Sequence, residues 1–106
     1  MFIIVSRILL PKGVVGLTLF PFILVSKKSY LDDKVLVNHE KIHIKQQMEL
    51  LILPFYFWYL IDFGIQYLKY KNKHEAYRNI IFEKEAYKHE KDVDYLKTRK
   101  IFGFLR

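Results

Sequence analysis

The chain has 106 residues, 52% of them hydrophobic, and carries 18 Lys and Arg against 11 Asp and Glu, a formal net charge of +7. That length admits one small domain whose core is marginal by itself, so a metal, a partner or a membrane would support it. There is no cysteine, which excludes disulfides and thiolate ligands and leaves only His and carboxylates for a tightly held metal.

The first thirty residues read as extended and predict a β-hairpin over residues 1–30. Ile3 to Leu10 is β-branched and apolar, Pro11-Lys12-Gly13 is a turn signal, and Val14 to Val25 is again strand-like. Pro21 demotes part of the second run to an edge strand or a bend. The opening Met1-Phe2-Ile3-Ile4-Val5 lacks a basic leader and Arg7 interrupts the apolar run, which argues against a signal peptide. Ser29 to Asp33 is a break, and Asp32 or Asp33 can cap a helix start. Leu36, His39, His43, Gln47 and Leu50 then recur at three- and four-residue steps and predict a helix over 34–53.

A hydrophobic helix is expected over 54–71, with Pro54 marking its start or a kink. Leu50 to Leu68 is long enough to cross a bilayer, but Asp62 would be costly facing lipid. Tyr59, Asp62, Gln66 and Lys69 draw a polar stripe along one side. The basic run Lys69, Lys71, Lys73 and Arg78 suits the cytoplasmic edge of a membrane. The expected location is therefore cytoplasmic, or inner-membrane-associated on the cytoplasmic side, with a bilayer surface among the candidate partners.

A third helix is expected over 80–99, capped by Asn79, with Glu83, Ala86, Tyr87, Glu90 and Asp94 on one side. Its charges alternate in sign, which describes a solvated face better than a phosphate-binding patch and argues against nucleic acid as a partner. Ile101 to Arg106 is an aromatic tail, docked or frayed. The expected class is α+β and mostly helical: a single domain over 1–106, with an N-terminal hairpin followed by about three helices.

The sharpest motif is His39-Glu40-Lys41-Ile42-His43. Residues four apart on a helix share a face, so both imidazoles can reach one Zn2+ at roughly 2.0–2.1 Å. Glu40 stands beside the pair and suits a general base that takes a proton from a metal-activated water. A catalytic zinc needs a third protein ligand, and the candidates are His74, His89, Glu83, Glu85 and Glu90. His74 reads as solvated and His89 as a surface residue. Tyr87 and Tyr95 can donate to an oxyanion, and Trp58 reads as a core or membrane-interface residue.

The segment from His39 to Gln46 resembles the metal-binding helix of membrane metallopeptidases related to the BlaR-type antibiotic sensors. Glu83-Lys84-Glu85-Ala86 is similar to the Glu-x-x-Ala of their later helix. The resemblance covers Asn38 to Glu90 and extends to the stripped-down minigluzincins, which keep a strand layer, an active-site helix and a glutamate helix. It implies a minimal zincin-like fold and a gluzincin-type zinc peptidase, with His39, His43 and Glu83 as metal ligands, Glu40 as catalytic base and a peptide or protein substrate. Glu85 is the rival third ligand. It further implies that an edge strand above the site, here Thr18 to Val25, binds substrate backbone. Tyr87 stands where that family places Asp, a supporting partner for a ligand His; Asp62, Glu90 or Asp94 could substitute. Two other readings stay open: a catalytically silent zinc-binding structural or regulatory module, and a membrane-associated partner protein in which the His pair is incidental.

Overall fold

The structure is a computed structural model and describes residues 2–6, 8–10 and 12–106. Three short apolar segments form its sheet: β1 (Phe2–Val5), β2 (Gly16–Leu19) and β3 (Phe22–Val25). The order is β1-β3-β2, with β1 parallel and β2 antiparallel to β3.

The hairpin therefore closes elsewhere than expected. It turns at Phe20–Pro21 and pairs Leu19 with Phe22, inside the run read as one strand. Pro21 has no N–H to give a ladder, so the chain reverses there. Lys12 and Gly13 do form a turn, with Gly13 at φ +87°, but the strands on either side of it are not paired. Pro11 lies outside the described residues. The expected edge over Thr18 to Val25 divides accordingly: β2 is an edge and β3 is the central strand.

Helix α1 (Lys34–Glu49) begins where Asp33 accepts from the Leu36 N–H at 3.1 Å. It stops four residues short of the expected end. Leu51 and Ile52 take positive φ, and the Leu53 N–H reaches back to the Leu51 carbonyl at 2.8 Å. This tight γ-type turn bends the chain by 114° into α2 (Leu53–Tyr70), which carries Pro54 in its first turn. Among the described residues no single helix is long and apolar enough to cross a membrane.

The expected helix over 80–99 is divided. A short α3 (Lys73–Asn79), capped by Asn72 on the Glu75 N–H, precedes that span. Asn79 caps nothing; its amide donates back to the Glu75 carbonyl. Helix α4 (Ile81–His89) follows, and the Asp62 carboxylate of α2 accepts from the Ile81 N–H at 2.7 Å. Asp62 is thus a helix cap supplied from a neighbouring element, which accounts for a carboxylate inside an apolar stretch. At the other end of α4, buried Asn38 of α1 donates to the carbonyls of His89, Glu90 and Asp92, where the chain leaves the helix. A single turn, α5 (Tyr95–Thr98), completes the helices. The class is α+β and mostly helical, as expected.

Two apolar clusters flank α1. One joins Phe55, Ile80, Phe82 and Phe104; the other joins Ile23, Val25 and Ile44. Phe104 seats the C-terminal tail, with its ring 4.8 Å from that of Phe82 and 5.4 Å from that of Trp58.

Candidate metal centre

Most of the face of α1 turned into the protein is polar. Asn38, His39, Glu40, His43, Gln46 and Gln47 are all buried. Such a face is costly unless every group is paired, and among the described residues no buried side-chain nitrogen or oxygen lacks a partner.

His39 and His43 lie one turn apart and aim their Nε2 atoms at one point, 3.2 Å from each other. Glu83, on the facing side of α4, brings Oε1 to 2.9 Å from His39 Nε2 and 3.0 Å from His43 Nε2. These are the three sequence-predicted ligands, and they meet as a group able to hold a metal ion. Donors about 2.0–2.1 Å from a tetrahedral zinc stand about 3.3 Å apart, so small outward shifts would seat the ion.

The surrounding hydrogen bonds fix what these atoms offer. Gln46 Nε2 donates to the Phe82 carbonyl and to Glu85, so Gln46 Oε1 accepts from the His43 Nδ1–H at 2.7 Å. The His39 Nδ1–H donates to Glu90 Oε1 at 3.1 Å. Both rings therefore turn a lone pair at Nε2 towards Glu83. Two imidazole lone pairs and a carboxylate oxygen at such distances repel unless a cation, proton or metal, sits among them. With a proton there, burial lowers the His43 pKa, but the Glu83 charge and hydrogen bond, Glu40 and Gln46 prevail and raise it to about 9. Burial likewise works against ionised Glu83, yet the two histidines hold it well below the usual carboxylate range.

Glu83 is further tied by the Tyr59 hydroxyl, which donates to Oε2 at 2.7 Å and leaves Oε1 to the histidines. Glu85, two residues on, points elsewhere. It accepts from Arg99 at 2.6 Å and from Tyr95 and Gln46, and Arg99 bridges on to Glu49. Of the proposed stand-ins for the missing Asp, Glu90 reaches a histidine, Asp62 caps α4, and Asp94 pairs with Lys97 on the surface. Tyr87 packs against His39 with ring centres 4.5 Å apart and planes at 71°, and Arg78 lies over the Tyr87 ring at 3.7 Å. His89 stacks on Tyr95, and His74 is exposed.

Glu40 is buried beside the ligands, and Thr18 of β2 donates its hydroxyl to Glu40 Oε2 at 2.7 Å. Gly16 lies so close that a Cβ there would stand 3.2 Å from Glu40 Oε1. These groups border a cleft of about 770 Å³ that runs from β2 past the three ligands to Tyr56, Leu60 and Tyr77. The Ser26 N–H to Val15 carbonyl bond sets the phase of the β2–β3 ladder, so Gly16 and Thr18 turn their backbone groups outward, along that cleft. The Thr18 carbonyl is taken by Gln47 and Tyr56, and the Phe20 N–H by Gln47.

Asn38, Gln46, Gln47 and Tyr59 were not singled out by sequence as site residues, and Thr18 only as the start of a substrate-binding edge. The available signal was an uncharged polar run on the helix face that carries the histidines. Comparison with protein-family profiles, with curated proteins and with solved structures finds no match to this chain.

Proposed function

We propose that this chain is a gluzincin-type zinc metallopeptidase that hydrolyses peptide bonds, with Glu40 as general base. The observation that carries the reading is the meeting of His39 Nε2, His43 Nε2 and Glu83 Oε1, with Glu40 adjoining them in the same cleft. Bound there, zinc supplies Lewis-acid polarisation of a carbonyl and lowers the pKa of a water to about 7. Glu40 is held by Thr18 through one oxygen and keeps Oε1 for the proton of the attacking water, which it returns to the departing amine. Gln46 and Glu90 hold the two rings in the tautomer that ligation needs. A substrate strand laid beside β2 would meet the outward backbone groups of Gly16 and the Thr18 N–H.

The second reading is a catalytically silent zinc-binding structural or regulatory module. The observation in its favour is that Gln47 and Tyr56 already fill part of the β2 edge. Glu40→Gln separates the two. Zinc-loaded wild type is expected to cleave members of a peptide library, read by mass spectrometry, and Glu40→Gln to keep its zinc while losing about 10²- to 10⁴-fold in rate. Equal hydrolysis by both proteins, none included, contradicts the peptidase reading and leaves the silent module.

A further inference from the structure

Helix α2 is built the wrong way round for a helix facing water. Its polar members turn inward: Tyr59 to Glu83, Asp62 to the Ile81 N–H, and Gln66 to Asp62. Its outer side carries Leu53, Phe57, Leu60, Ile61, Ile65 and Leu68, each 57% to 77% exposed. At 3.6 residues per turn these six fall within an arc of about 140°, along a helix about 27 Å long. The two charged residues of α2, Asp62 and Lys69, both lie outside that arc. A surface helix in water shows the opposite pattern, and an exposed apolar patch of this extent marks an interaction site.

We propose that α2 lies in the plane of an anionic lipid surface, with this arc sunk into the headgroup and acyl boundary. Two features select lipid over a protein partner. The arc is flanked on one side by Trp58 and on the other by Tyr67, both partly exposed, and such amphipathic rings settle at the edge of the hydrocarbon. Exposed Lys69, Lys71 and Lys73 cluster at the C-terminal end of the same helix, in a chain of net charge +7. Crossing is a different matter, because the inner side of α2 is committed to α4 and to Glu83. The surface chemistry of α2 carries this inference without reference to the metal or to peptide hydrolysis.

Co-sedimentation of the full chain with vesicles tests it, using phosphatidylcholine alone and phosphatidylcholine mixed with phosphatidylglycerol. Trp58 is the single tryptophan and reports directly. Wild type is expected to pellet with the mixed vesicles, shift Trp58 emission to the blue, and bind pure phosphatidylcholine about a hundredfold less well. Phe57→Glu with Ile61→Glu changes only exposed positions. With circular dichroism and metal content kept, it is expected to weaken binding about a hundredfold or more. Lys69→Gln, Lys71→Gln and Lys73→Gln together are expected to abolish the preference for anionic lipid. Wild type remaining in the supernatant with both vesicle types overturns the proposal. So does equal binding by the Phe57/Ile61 variant, or self-association through α2 that persists without vesicle binding.

Discussion

His43 carries two tasks on one ring, since Nδ1 is committed to Gln46 and Nε2 faces Glu83. In the metal-free protein its pKa of about 9 lies above the ordinary 6.5, so its contribution to stability is complete below pH 6.5 and fades as pH rises through about 9. Glu83 is shifted the other way. Its contribution is present above the ordinary 4.5 and is lost as pH falls towards its depressed value. Zinc must displace the His43 proton, so binding at pH 7 should release about one proton, and affinity should climb about tenfold per pH unit up to about pH 9. Calorimetry in two buffers of different ionisation heat measures this; zinc uptake with no proton release would show that His43 is not the protonated partner. Tyr59→Phe removes one bond from the non-ligating oxygen of Glu83 and should weaken zinc about tenfold or more while the fold persists, as a metal titration with a competing chelator would show. At this scale the His pair was legible because helix spacing alone puts both rings on one face. The choice between Glu83 and Glu85 was open because residues two apart point to opposite sides of α4. Both reach α1, Glu83 at the histidines and Glu85 at Gln46; which of them faces the histidines depends on where that helix starts, and Asp62 on a different helix supplies that cap.

The C-terminal tail is fastened to the centre by a relay from Arg99 through Glu85 and Gln46 to His43. Gly103 closes on this relay, and a Cβ there would stand 2.5 Å from Glu85 Oε2 and 3.0 Å from Arg99 Nε. Gly103→Ala should therefore cost about 1–3 kcal/mol, seen as a lower Tm, and should weaken zinc as Glu85 loses hold of Gln46. The α1–α2 corner makes the opposite prediction. Ile52 is β-branched and sits at φ 69° and ψ −69°, a strained conformation. Ile52→Gly should raise stability by about 1 kcal/mol in urea unfolding; a clear loss would mean that the side chain's packing outweighs the strain. Among the elements, α1 and α2 were readable from capping Asp33, helical periodicity and Pro54. The sheet was misread because the strongest local turn signal joins strands that do not pair, while Pro21 marks the reversal that does. The parallel pairing of β1 with β3 rests on contacts across the chain and leaves no local trace.

On the scale of the whole molecule, the polar inner face of α1 divides what would otherwise be one core into two clusters. A small domain so divided has little apolar burial to spare, and a metal at the seam joins α1 to α4 directly. Bound zinc at about a thousand times its dissociation constant would add about 4 kcal/mol, so chelation should lower the Tm by about 10 °C or more. The α+β class and its division into a strand layer and helices were legible from hydrophobic patterning. The inverted side of α2 was half legible, as a polar stripe on an apolar helix whose inward direction only the packing reveals. Metal analysis of the purified chain tests the central claim most directly. The account predicts one zinc per chain, lost in His39→Ala, His43→Ala and Glu83→Ala and kept in Glu40→Gln. Substoichiometric zinc that those ligand substitutions leave unchanged would contradict it.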